Sequence, residues 1–308
     1  FKFPPHPNPL PSGERGRERG CIFFSPYPVR QDLWRSEKAR RRGDFEGILL
    51  NPSLPLYYLE NDNVPTQISK EEKMGNLLGS DLQKKICVVL TGNEENSDIE
   101  KLKDIALVEC RIDEFLKRKT IDELPEWILK IKEKLNTKII ATIRWYKESG
   151  QNPYYIKDKE RLEIFKKIIT YVDFIDVELK SRILKEVTEI VESQNKKVIV
   201  SYHNFKKTPN EKKLKEIVRK GNKVGDIVKI ATLIKTEKNL FDLIKITYTY
   251  SKKIPLIIIP MNENPFVRFI PIFFGSLFTY VSLNTKVAPG QISYFEYSNF
   301  ISKPVPDK

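Results

Sequence analysis

Cysteine, histidine and methionine are scarce in this 308-residue chain, at three, two and two residues. Cys21, Cys87 and Cys110 match no metal-ligand spacing and are too few for a disulfide framework, so the expected setting is a reducing cytoplasm and the expected metal content is none. No apolar run reaches the roughly 18 uninterrupted residues of a membrane span. The nearest, at 254–260 and 269–280, are short or broken by proline and glycine. The N-terminus has no positive start leading into an apolar core, which argues against secretion. A Gly-rich dinucleotide turn is also missing: the loop after the first apolar run, "LTGNEENS", has one glycine and no G-x-G-x-x-G.

What is abundant is charge, with 54 Lys and Arg against 41 Asp and Glu and a formal net of +13. The lysines alternate with glutamates along helical stretches, the pattern of a solvated face rather than of a nucleic-acid groove. A net positive field would equally draw in a small anionic substrate. Charge alone therefore leaves open an enzyme and a basic nucleic-acid-associated protein, and the expected partner list contains neither nucleic acid nor membrane.

Residues 1–80 are rich in Pro, Arg and Gly, with three consecutive arginines at 40–42 and no sustained period. They read as a disordered N-terminal tail ahead of a catalytic domain at 81–308. Met74 stands shortly before the first convincing strand, so an upstream extension or a misplaced start codon would account for the break in composition.

From Lys84 onward, eight apolar runs recur: "KICVVLT", "IALVECRID", "KIIATIR", "FIDVEL", "KVIVSYHNF", "DIVKIAT", "PLIIIPM" and "FTYVSLN". Helical periods fall between them at 122–135, 159–170, 181–194, 210–220 and 237–251. Eight β-then-α units in roughly 220 residues predict a (β/α)8 TIM barrel, with a doubly wound open sheet as the other arrangement such alternation allows.

In a barrel of this kind the strand ends form the working face. Glu109 and Arg111 are two apart and share a face, while Cys110 and Ile112 point the other way. Arg144 closes the third run, Asp176 and Glu178 the fourth, His203 the fifth and Met261 the seventh. Each has an ordinary structural reading taken singly. Lys229 resists one, because it lies inside "DIVKIAT" with Ile227 and Ala231 on its own face, where a lysine must be desolvated, paired or employed.

Six segments in order then resemble the type I 3-dehydroquinate dehydratase family, the Schiff-base enzymes of the shikimate pathway. They are "VECRID", "TIRWYKESG", "SYHNFKKTP", "VKIAT", "FGSLFTY" and "APGQI", spread over about Lys85 to Ile292. The resemblance implies a barrel of the class I aldolase type, no cofactor, and 3-dehydroquinate as substrate. It places the imine-forming lysine at Lys229, the general acid–base at His203 and the carboxylate that orients it at Glu148. Substrate-holding positions fall on Glu109, Arg111, Arg144, Met261, Arg268 and Gln291. It further implies a homodimer. The chain ends soon after "APGQI", so a single activity is expected, without a fused shikimate dehydrogenase.

An ordinary lysine, with a pKa near 10.4, is charged at pH 7, so burial and the cations Arg111 and Arg144 are expected to favour its neutral amine against the pull of Glu109. Three places depart from the family's habit. The loop "MNENPFVR" is about one residue short, Val287 stands where a serine is common, and "ESG" replaces "EGG". Loss of the serine hydroxyl is expected to weaken substrate binding by roughly 0.5–1.5 kcal/mol rather than abolish activity. A different Schiff-base aldolase or lyase on the same barrel is the other enzymatic reading. It would normally carry a Gly-rich phosphate loop near the last two strands, which is not evident here.

Overall fold

A computed structural model of the chain describes residues 84–301 except 103, 151 and 152, and the tail expected at 1–80 lies outside the described residues. Eight strands form one parallel sheet: β1 Ile86–Leu90, β2 Leu107–Arg111, β3 Lys138–Thr142, β4 Phe174–Glu178, β5 Lys197–Asn204, β6 Ile227–Leu233, β7 Leu256–Met261 and β8 Thr279–Ser282. The order runs β7-β6-β5-β4-β3-β2-β1-β8, so each strand lies beside its sequence neighbour and β8 returns to β1. Between β7 and β8 the seam is drawn together where the two strands begin. Leu277 N–H donates to the Leu256 carbonyl at 2.8 Å, and Ile258 N–H to Ser276 Oγ at 3.0 Å. The nearly closed (β/α)8 barrel matches the strand pattern of the sequence.

The helices are α1 Asn96–Glu100, α2 Ile112–Phe115, α3 Leu124–Lys134, α4 Asp158–Ile168, α5 Leu184–Ser193, α6 Glu211–Val224, α7 Glu237–Tyr250 and α8 Tyr294–Ile301. Their apolar spacing fixes the face they bury. In α6, Leu214, Ile217, Val218 and Gly221 fall at i, i+3, i+4 and i+7 and pack on the sheet, while Asn210 caps the start by accepting the Lys213 N–H at 3.0 Å. Each such leucine or isoleucine stabilises the fold by about 1.5–3 kcal/mol through burial. No described helix is long and apolar enough to cross a membrane.

Strand alternation divides the apolar residues into two layers. Cys87, Val89, Ile140, Ile199, Ile227 and Ile257 fill the barrel interior, whereas Val88, Cys110, Ile139, Val200 and Val228 face the helices. The seventh unit departs from the expected strand-then-helix pattern. After β7 the chain makes two short 3₁₀ turns, Pro265–Arg268 and Ile270–Phe274, because Pro265 and Pro271 lack the N–H that a longer helix would use and Gly275 ends the second turn at φ 103°. This places Arg268 at the barrel mouth.

Candidate active site

The interior faces of β2 to β6 carry polar residues toward the C-terminal rim. Glu109 and Arg111 share the inward face of β2, as their spacing predicts, and Lys229 points inward from β6 beside Ile227 and Ala231. In the sheet register, Glu178 pairs with Ser201 and Ser201 with Lys229, so β4, β5 and β6 present their polar groups at one level.

Lys229 is 4% exposed, and its Nζ donates to Asp176 Oδ2 at 2.8 Å and to Glu109 Oε1 at 3.2 Å. The expected neutralising arginines are themselves taken by carboxylates. Arg111 makes a two-pronged contact with Asp113, Nε to Oδ1 at 3.0 Å and Nη2 to Oδ2 at 2.7 Å. Arg144 Nη1 reaches Glu178 at 2.8 Å, Ser201 Oγ at 2.9 Å and Asp176 at 3.1 Å. Burial alone would raise the Asp176 carboxyl, but Arg144 and Lys229 hold it well below the usual carboxylate range. The site is thus a lattice of alternating charges, with Lys229 gripped by anions.

His203 sits at the end of β5, its ring almost fully enclosed. Burial pushes its imidazole well below the ordinary value, and Arg144 and Lys229 push the same way, so the ring is neutral at pH 7. Arg144 Nη1 lies 3.3 Å from Nδ1. A guanidinium only donates, so this contact favours the tautomer with its hydrogen on Nε2.

Glu148, on the 3₁₀ turn Tyr146–Glu148, backs His203 but meets it at the main chain. Its Oε2 accepts the His203 N–H at 2.8 Å and stands 3.6 Å from Nδ1, too far for a hydrogen bond to the ring. Its Oε1 has no hydrogen-bond partner among the described residues, with Lys180 Nζ 4.0 Å away. Burial raises the Glu148 carboxyl to about 7, and the nearby Glu178 adds to the rise.

A solvent-connected pocket of about 530 Å³ lies above Lys229. Eight of the nine residues implied by the resemblance line it: Glu109, Arg111, Arg144, His203, Lys229, Met261, Arg268 and Gln291. Glu148 stands behind the wall, where Ser149 and Gly150 complete it. Arg268 is 2% exposed and donates through Nη2 to the Pro289 carbonyl, while its Nε has no partner and no described carboxylate comes within ion-pair range. Desolvation with no compensating anion lowers its guanidinium to about 10. Gln291 Oε1 accepts the Val287 N–H at 2.9 Å, which turns its amide NH₂ group away from that backbone.

Residues 86–302 match the family model described as type I 3-dehydroquinase. The chain belongs to the type I 3-dehydroquinase family. It is 35% identical over 195 residues to 3-dehydroquinate dehydratase of Thermodesulfovibrio yellowstonii, covering 63% of this chain and 83% of that protein. With the enzyme of that name from Hydrogenobaculum it shares 33% over 214 residues, 69% of this chain and 94% of the relative. Among solved structures, the 3-dehydroquinate dehydratase of Aquifex aeolicus superposes with a TM-score of 0.61 at 30% identity, covering 70% of this chain and 96% of that one. The type I enzyme of Clostridium difficile, solved with covalently modified comenic acid, gives 0.62 at 28%, covering 70% and 90%.

Around this pocket, the sequence of this type I 3-dehydroquinase family member left four side chains without a role. Asp176 and Glu178 were visible at the end of β4, but nothing in a linear pattern says that they would clamp Lys229 and Arg144. Asp113, in the turn of α2, braces Arg111 from two residues away. Arg161 comes from α4, reaching Glu178 at 2.6 Å and the Ile143 carbonyl at 2.8 Å, and only the fold brings it there.

Proposed function

We propose that the chain is a hydro-lyase that removes water from 3-dehydroquinate to give 3-dehydroshikimate, on the route to aromatic amino acids, through an imine on Lys229. The observation that carries this reading is the pairing, in one pocket, of a buried lysine with a buried guanidinium that lacks an anion. The first suits a ketone and the second a carboxylate, and the substrate has both.

The chemistry follows from the distances. An ammonium has no lone pair, so one proton must leave Lys229 before attack. Asp176, held in its ionised form by two cations, is a poor acceptor, and Glu109 is the other carboxylate in contact with Nζ, at 3.2 Å. The amine adds to the C3 ketone and expels its oxygen as water, and the resulting cationic imine draws electrons from the C2–H bond. Neutral His203 takes that proton on Nδ1, its basic nitrogen, in place of the Arg144 contact and returns one to the departing C1 hydroxyl, so a single ring serves as base and then acid. Water hydrolyses the product imine and frees the lysine. Glu148 fixes the strand end that carries the ring by accepting the His203 main-chain N–H.

Arg268 and Gln291 hold the C1 carboxylate, Arg268 as a planar fork. Glu109 and Arg144 take ring hydroxyls, Arg111 adds positive potential, and Met261 packs against the ring.

The reading places the enzyme in the cytoplasm, where soluble biosynthetic intermediates are found, as a homodimer. Phe273 and Phe274, 63% and 39% exposed on the turn Ile270–Phe274, offer apolar surface for a second copy, and sedimentation velocity would then find twice the chain mass.

The deciding experiment is borohydride reduction in the presence of 3-dehydroquinate, followed by peptide mapping. The adduct is expected on Lys229. Lys229→Ala should abolish both adduct and turnover, and His203→Ala should form the adduct but stall elimination. Normal turnover in either variant refutes the assigned roles.

A further inference from the structure

Tyr280 stands on β8 beside Cys87 of β1 and points inward, 5% exposed, with its ring on the pocket wall. Lys229 Nζ lies 4.1 Å from the centre of that ring. Phe278 packs edge-on against it, 5.5 Å between centroids at 65°. The phenol oxygen has no hydrogen-bond partner among the described residues. Burial, with Glu109, Cys87 and Asp176 acting in the same direction, keeps the phenol neutral. With its hydroxyl idle, the ring acts on Lys229 through its face.

We propose that the face of Tyr280 stabilises the positive charge on Lys229 Nζ, and that this contact carries more of the stabilisation once the imine has formed. The inference rests on the Schiff-base reading above. In the overall condensation, R–NH₃⁺ and O=C become R–NH⁺=C and H₂O, so the charge stays on Nζ while two of its three N–H bonds are lost. Glu109 and Asp176 each accept one N–H from Lys229. The iminium has a single hydrogen to offer, so one carboxylate must give up its bond. A cation over an aromatic face needs no hydrogen. The ring therefore keeps its attraction for the iminium when the carboxylates lose part of theirs, whereas the carbinolamine that precedes it is neutral at nitrogen and feels little of it, so the contact favours the step from carbinolamine to iminium and lowers its barrier.

The test replaces Tyr280 in the full chain with phenylalanine as reference, and then with phenylalanines bearing one, two and three ring fluorines. Fluorine withdraws charge from the ring face with little change in shape. With 3-dehydroquinate as substrate, kcat and the rate of borohydride-trapped adduct on Lys229 should fall stepwise from the phenylalanine reference, by roughly tenfold across the series. The thermal midpoint should stay level, which separates the effect from loss of packing. A flat series, or a loss complete at Tyr280→Phe with no further decline, overturns the role of the ring face. Absence of any adduct on Lys229 in the unsubstituted chain overturns the Schiff-base reading and this inference with it. An adduct formed at one rate throughout overturns this inference alone.

Discussion

Asp176 Oδ2 lies 2.8 Å from Lys229 Nζ, and both side chains are closed off from solvent. Through Oδ1 the same carboxylate meets Arg144 at 3.1 Å and accepts the Ser201 hydroxyl at 2.6 Å. One buried anion thus joins the proposed imine nitrogen to the guanidinium beside His203. It fixes both cations in the lower part of the pocket and sets the height at which a ketone must dock.

Asp176→Asn keeps the shape and removes the charge, leaving Lys229 and Arg144 with one anion fewer. Breaking a buried ion pair from one side costs about 3–5 kcal/mol. The urea midpoint should fall accordingly at unchanged slope. Adding Lys229→Met should restore much of the loss, because the stranded cation is removed as well. Strict additivity of the two substitutions would show that the pair is not coupled.

The barrel was legible because its signals are local. Eight short apolar runs and the helical periods between them need no knowledge of distant contacts, and the face that Lys229 shares with Ile227 and Ala231 follows from strand alternation, though which face looks inward does not. The clamp was not legible. Lys229 and Glu109 are 120 residues apart, Lys229 and Asp176 are 53 apart, and only closure of the sheet brings them within bonding distance. The sequence therefore suggested Arg111 and Arg144 acting on the lysine against Glu109, where the structure adds Asp176 to the clamp and occupies both arginines with carboxylates. The contact of Glu148 with the His203 main chain escaped for a related reason, since a 3₁₀ turn of three residues has no periodic signature.

Glu148 makes stability depend on pH in a stated direction. Its carboxyl is raised from 4.5 to about 7 in the folded chain, so between those values the native state holds a proton that the unfolded state releases. The stabilisation is complete below pH 4.5 and is lost as pH rises through about 7. Its full size is about 3 kcal/mol by order of magnitude. Glu148→Gln should flatten this part of the curve, so that between pH 5 and pH 8 the variant loses less stability than the parent in chemical denaturation. Parallel curves would deny the shift.

Gly290 has φ 65°, and a Cβ there would lie 1.8 Å from the Asn262 carbonyl oxygen. The loop that carries Gln291 therefore rests directly on the loop leading to Arg268. Gly290→Ala adds both backbone strain and a clash with main chain, and a destabilisation of about 1–3 kcal/mol is expected. Because the two proposed carboxylate holders would be pushed apart, KM for 3-dehydroquinate should rise more than kcat falls. An alanine variant with parental KM and thermal midpoint would show that the loops separate freely.

Arg268 sets stability against binding. The buried guanidinium has no described anion in reach, and an unpaired buried charge opposes folding. Replacing it with a methionine of comparable length should therefore leave the unliganded protein as stable as the parent or more so, seen as an equal or higher denaturation midpoint. The same change removes charge-assisted hydrogen bonds to the substrate carboxylate, each worth about 1.5–3 kcal/mol. KM should rise by roughly 10- to 100-fold, and ligand should protect the variant from thermal unfolding far less than it protects the parent. If Arg268→Met destabilises the unliganded chain and leaves KM alone, Arg268 is a structural tie to Pro289 and the carboxylate site lies elsewhere.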